Sequence, residues 1–370
     1  MWTRRQLLSR GGAAFATAGT CLAFPGEGDR TRPDRDALPD GSAARGMMSA
    51  NTDKAINSGL VYLSGRRHRD GSFGTNAYAG NVAVTSLGAL AFMAAGHQPN
   101  RGPYGQVVTD ALRFILKQER PDTPGYLYNQ SATPHGPMYG HGFGTLFLAE
   151  VSGMVQDKTL REQVNGALHR AVTLILNSQN HEGGWRYTPN TTEADISVTI
   201  CQIMALRAAR NAGVEVPKKK VDKCVEYVKR CQDKSQGWFR YTLQGGQMGP
   251  QQAFARTAAG VVALYSAGIY EGEAVEAGLK FLMQNKPGHG DFSMRPPDIH
   301  YFYGHYYAVQ AMYTAGGKRW EEWFPAIRDE LIANQSNDGS WSDSLCRHYG
   351  TAMACLILQV PNNYLPILQK

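Results

Sequence analysis

The chain has 370 residues, 42% of them hydrophobic and 19% charged, with a formal net charge of +7. That balance fits a soluble globular protein with a large core and excludes a low-complexity or disordered chain. The only compact basic run is Lys218-Lys219-Lys220, no nucleic-acid motif is present, and after the N-terminus no apolar run is long enough to cross a membrane.

At the N-terminus, Thr3-Arg4-Arg5-Gln6-Leu7-Leu8 precedes a mildly apolar stretch from Gly11 to Phe24. Paired arginines before weak hydrophobicity resemble a twin-arginine-type signal segment over residues 1–24. The expected location is therefore extracytoplasmic or periplasmic in a bacterium. Residues 25–50 are rich in Arg, Asp, Gly and Pro and read as a disordered linker, leaving 51–370 as one domain. Beyond the signal, Cys201, Cys224, Cys231, Cys346 and Cys355 are odd in number. Cys224 and Cys231, seven apart on a predicted helix, would stand about 10 Å apart along its axis, too far for a disulfide. Buried thiols are the expectation.

From residue 51 onward the chain repeats itself. Gly-aromatic turns occur at Asp70-Gly71-Ser72-Phe73, Gly125-Tyr126, Gly183-Gly184-Trp185, Gly237-Trp238-Phe239, Gly290-Asp291-Phe292 and Asp338-Gly339-Ser340-Trp341. Before each turn lies an amphipathic segment, as in Leu168, Ala171, Val172 and Ile175, which follow the i, i+3, i+4, i+7 rule. After it comes a segment apolar nearly all round, such as Ile196 to Ala209. Gly96, Gly153, Gly213, Gly268 and Gly316 stand where helix stops are needed. Twelve helices in six hairpins, with almost no strand, are predicted. Such hairpins can form an open solenoid with polar caps or close into a ring.

The turns Gln179-Asn180-His181-Glu182-Gly183-Gly184-Trp185 and Gln335-Ser336-Asn337-Asp338-Gly339-Ser340-Trp341 resemble the QW-type repeats of squalene and oxidosqualene cyclases. They are also similar to the repeats of protein prenyltransferase β-subunits. The resemblance covers about residues 51–360. It implies an all-α α/α toroid (an α6/α6 barrel) whose inner helices surround a central cavity that could hold an isoprenoid or another apolar ligand.

Chemistry in such a ring belongs at the N-terminal ends of the inner helices, which carry the positive end of the helix dipole. Glu193-Ala194-Asp195-Ile196 is similar to the cyclase motif Asp-x-Asp-Asp, with Glu193 and Asp195 on the first two acids and Ile196 in place of the third. Asp195 is then a candidate proton donor to an alkene or epoxide. Helix capping by Asp195 or Ser197 is the competing reading. Asp298, His300 and His348 resemble the zinc ligands of prenyltransferase β-subunits, with His300 where the family has Cys. An Asp/His/His set is an acceptable zinc site, so zinc is the one cofactor implied. Tyr139-Gly140-His141, echoed by Tyr303-Gly304-His305, makes His141 a third catalytic candidate beside inherited packing.

Three functions follow: an isoprenoid-converting enzyme, a zinc-dependent transferase variant, or an exported binding toroid that engages a small molecule or a protein without chemistry. The mature length suffices for one toroid, whereas triterpene cyclases use two domains.

Overall fold

A computed structural model of the chain describes residues 46–245, 250–288 and 300–368, with the side chains of 250–252 also outside the description. The signal segment 1–24, most of the expected linker and Asp298 fall outside the described residues.

Among the described residues there are twelve α-helices: α1 (Ala50–Arg66), α2 (Val82–Ala94), α3 (Gly105–Leu116), α4 (Pro137–Ser152), α5 (Lys158–Ser178), α6 (Ile196–Asn211), α7 (Lys218–Cys231), α8 (Pro250–Ser266), α9 (Glu273–Gln284), α10 (Tyr301–Ala315), α11 (Gly317–Ala333) and α12 (Arg347–Leu358). Four short 3-10 turns accompany them, and among the described residues only isolated β-bridges occur, so the all-α expectation holds. The first helix begins at Ala50 with Ser49 as its cap, just inside the stretch expected to be linker.

The even-numbered helices pack side by side in the order α2, α4, α6, α8, α10, α12 and back to α2, which closes the ring. The odd-numbered helices form the outer layer. Outer α7 shows why: it buries only Cys224, Tyr227, Val228 and Cys231, one face at helical spacing. Inner α6 by contrast buries residues all round its circumference. All five cysteines of the domain are buried and unpaired, as expected.

Most outer helices pack chiefly on the inner helix that precedes them, not on the one that follows. Short loops join inner to outer helix, and the long Gly-aromatic turns lead on to the next inner helix. The pairing has a consequence for α1, which has no preceding inner helix among the described residues and lies instead against α12, nearly 300 positions later in the sequence. An open solenoid would leave that face of α1 in water, so closing the ring buries it.

The turns act as staples between hairpins. Gln179 donates from Nε2 to the Gly183 and Lys220 carbonyls at 2.8 Å each; Gln232 does the same to Gly237 and Ala274, and Gln335 to Gly339 and Ala55. In each pair one carbonyl belongs to the turn itself and the other to the next outer helix. The turn glycines Gly71, Gly125, Gly183, Gly237 and Gly339 all have positive φ, and a Cβ on any of them would come 2.3 to 2.6 Å from a carbonyl oxygen of that same helix. Only glycine meets both demands.

Sequence spacing put the aromatic staple at Tyr126 and Trp238 in two repeats. In the structure the residue two beyond each turn glycine fills that place, so Leu127 and Phe239 stand with Phe73, Trp185 and Trp341. Their backbone N–H groups donate to Thr85, His141, Thr199, Thr257 and Thr351 at 3.1 to 3.3 Å.

Candidate functional site

Side chains from inner helices that are not neighbours meet inside the ring. Phe143 of α4 lies 6.3 Å from Tyr306 of α10 between ring centroids, and Cys201 of α6 is 3.5 Å from the Tyr307 hydroxyl. Tyr306 and Tyr307 are buried. At this level the middle of the ring is packed rather than open, with Tyr306 and Tyr307 of α10 reaching α4 and α6. The C-terminal segment lies across the other end: Leu365, Ile367 and Leu368 are buried, and the Ile367 N–H donates to Glu150 at 3.3 Å. Accessible surface remains near the N-terminal ends of the inner helices, where Tyr139, Ser197 and Tyr303 are partly exposed.

Asp195 stands at that end of α6. One oxygen, Oδ1, accepts the Val198 N–H at 2.8 Å and the Ser197 hydroxyl at 2.6 Å, so it caps the helix. The other, Oδ2, is buried with no hydrogen-bond partner; Arg186 Nε lies 3.9 Å away. The residue is 0% exposed. Burial raises its pKa above the ordinary carboxylate value, against the lowering pull of Ser197, Val198 and Arg186. The capping reading therefore holds for Oδ1, and the same carboxyl keeps a second, buried oxygen without a hydrogen-bond partner. Glu193 is exposed and pairs with Arg186, whose guanidinium also lies over the Tyr187 ring at 5.5 Å.

Around Asp195 the hydroxyls of Tyr139, Tyr241 and Tyr303 feel its charge, although burial is the larger cause of their raised pKa values. Tyr139 and Ser197 share a hydrogen bond of 2.6 Å, and Tyr303 donates to the Ser197 carbonyl at 2.7 Å. Tyr187 and Tyr241 bond through their hydroxyls. None of these partners beyond Tyr139 and Tyr303 was singled out from sequence. Ser197 was weighed only as a cap, and Tyr187 and Tyr241 lie on turns whose course is set by tertiary packing.

His141 takes a structural place. It occupies the position that threonine fills in the four other described repeats, and its Nδ1 accepts the Leu127 N–H at 3.3 Å. Full burial lowers its pKa to about 4, so the ring is neutral. His305 stands at the same helical position of α10, its ring beside those of Phe254, Tyr301 and Trp323.

The zinc candidates divide. His348 is buried with Nε2 at 3.1 Å from the Arg66 carbonyl of α1, its ring packed near Tyr62, His68 and Phe73. His300 is exposed at the start of α10. Among the described residues no three His, Cys, Asp or Glu are grouped to hold a metal ion. His348 spends Nε2 on a backbone carbonyl toward the outer wall, while its Nδ1 is buried without a hydrogen-bond partner; with Asp298 outside the described residues, the zinc expectation is not tested by the described donors.

Residues 148–298 match the family model of the squalene-hopene cyclase C-terminal domain. The squalene-cyclase-like repeat character read from the turns is therefore supported over these residues. No curated protein matches the chain in sequence. Among solved structures, cellobiose 2-epimerase from Bacillus thermoamylovorans superposes with a TM-score of 0.61 at 13% identity, over 84% of this chain and 99% of that one. The type II terpene cyclase MstE from Scytonema, in complex with geranylgeranyl dihydroxybenzoate, reaches 0.56 at 13% identity, over 85% and 98%. An α-1,6-mannanase of Salegentibacter reaches 0.57 at 8% identity, over 84% and 99%. At such identities these likenesses establish the α/α toroid and no activity.

Proposed function

We propose that this toroid takes an apolar, isoprenoid-like ligand at the N-terminal mouth of its inner helices and that Asp195 supplies the proton that activates an alkene or epoxide there. One observation carries the reading: the fully buried Oδ2 of Asp195, without a hydrogen-bond partner, on a carboxyl whose pKa burial has raised. A carboxyl kept neutral in such a setting is a proton donor. The tyrosine faces beside it suit a hydrocarbon and the cation that follows protonation. The cyclase family match over residues 148–298 supports the same direction. Export through the N-terminal twin-arginine-type segment belongs to this proposal, and fractionation of cells making the full chain tests it.

The experiment is incubation of purified protein with polyprenyl alkenes and epoxides of graded length, with products followed by mass spectrometry. Conversion by the wild type and its loss in Asp195→Asn support the reading, since asparagine still caps a helix but cannot give up a proton. Equal conversion by Asp195→Asn would overturn it. A non-catalytic binding toroid is the second reading, favoured by the complete burial of Asp195. It expects ligand retention without conversion and the same affinity in Asp195→Asn.

A further inference from the structure

Asp195 is sealed from the surface, yet its hydrogen bonds lead outward. Ser197 has one hydroxyl proton, and that proton is donated to Asp195 Oδ1 at 2.6 Å. In the 2.6 Å bond between Tyr139 and Ser197, Tyr139 must then be the donor. The result is a directed chain from Tyr139 through Ser197 to Asp195, spanning α4 and α6. Its outer members, Tyr139 and Ser197, are partly exposed, whereas Asp195 is not. Tyr303 lies equally close but donates to the Ser197 backbone carbonyl, which has no proton to pass on.

We infer that Tyr139 is the residue that hands the proton to the ligand, with Ser197 relaying it from Asp195. This rests on the assignment of Asp195 as the proton source. With the proton of Asp195 on Oδ1, the oxygen that Ser197 bonds, the chain reverses its polarity: the carboxyl donates to Ser197 Oγ, Ser197 donates to the Tyr139 oxygen, and the Tyr139 O–H is released to donate to a ligand. In the step itself the Tyr139 O–H bond breaks as a C–H bond forms on an alkene, or an O–H bond on an epoxide. The Ser197 proton moves to Tyr139 and the Asp195 proton to Ser197. Tyr139 and Ser197 end neutral, Asp195 ends as the carboxylate, and the ligand carries the positive charge. Arg186, 3.9 Å from Oδ2, is placed to stabilise that carboxylate. The proton returns when the cationic product loses one.

The test needs no identified ligand. In protein labelled with carbon-13 at the tyrosine ring carbon bearing oxygen, the Tyr139 resonance is assigned by its absence from Tyr139→Phe. It is then followed by NMR from pH 3 to 7. In the wild type it should move as Asp195 titrates. That movement should vanish in Asp195→Asn and fall by at least half in Ser197→Ala, with melting temperatures confirming that the variants fold. A Tyr139 resonance indifferent to pH in the wild type, or moving equally in Ser197→Ala, overturns the relay.

Turnover of a polyprenyl epoxide separates the two assignments. The relay expects kcat to fall at least about ten-fold in Tyr139→Phe and Ser197→Ala with KM nearly unchanged. Full kcat in Tyr139→Phe with a dead Asp195→Asn removes the relay and keeps Asp195 as a direct donor. Unchanged kcat in Asp195→Asn removes the acid assignment itself.

Discussion

Gln335 donates from Nε2 to the carbonyl of Ala55 at 2.9 Å, joining the last turn of the toroid to its first helix across 280 residues of sequence. The equivalent bonds of Gln179 and Gln232 span only 41 and 42 residues. The same staple that ties neighbours elsewhere therefore seals the ring at this seam.

Gln335→Ala removes two hydrogen bonds and should cost about 2 kcal/mol. The loss should concentrate at the seam. Hydrogen exchange in α1 is expected to accelerate in this variant and to stay unchanged in α5 and α6, and uniform acceleration would contradict a seam role.

At the same seam Gly339 has φ +85°, and a Cβ there would come 2.5 Å from the Ser58 carbonyl oxygen. Gly339→Ala thus combines backbone strain with a backbone clash and should destabilise by at least about 2 kcal/mol. Gly65, with nothing within 4 Å of its Cβ position, is the control, and alanine there should be tolerated. Denaturant midpoints of the two variants decide the matter.

His141 should behave as a staple with a pH signature. Its folded pKa of about 4 lies below the ordinary histidine value of about 6.5. Its contribution is therefore present above pH 6.5 and is lost as the pH falls toward 4, by up to about 3 kcal/mol. His141→Thr, which restores the residue used in the other repeats, should flatten that part of the stability curve. His141→Ala should be less stable than His141→Thr by about 1 kcal/mol, because the Leu127 N–H loses its acceptor.

Asp195 should show the opposite slope. Its folded pKa is raised, so its contribution is complete below the unfolded carboxylate value and declines as the pH rises through the folded one. The melting temperature of the wild type relative to Asp195→Asn should accordingly drop between acid and neutral pH. Asp195→Ala, which also loses the cap on Val198, should be destabilised by a further 0.5–2 kcal/mol or so at either pH. A flat difference between wild type and Asp195→Asn would mean that the carboxyl is ionised throughout.

Much of the fold was legible because helix burial writes a local period. Leu168, Ala171, Val172 and Ile175 announced an outer helix, and all four are buried in α5. The glycines and aromatics of the turns recurred at a nearly constant interval because each turn meets the same carbonyl of the next outer helix. The site was less legible. Asp195 stood out as an acid before an apolar helix, but its environment did not.

The sequence by itself determined twelve helices, their inner or outer character and the repeating staples, since each depends on residues within one or two turns of each other. Only the tertiary structure decided that α1 pairs with α12, that tyrosines of α10 pack inside the ring, that His141 substitutes for a threonine, and that Tyr139 and Ser197 join Asp195 in one hydrogen-bond chain. Those are contacts between segments far apart in sequence, and no local periodicity records which distant side chain will share a hydrogen bond or fill the same space.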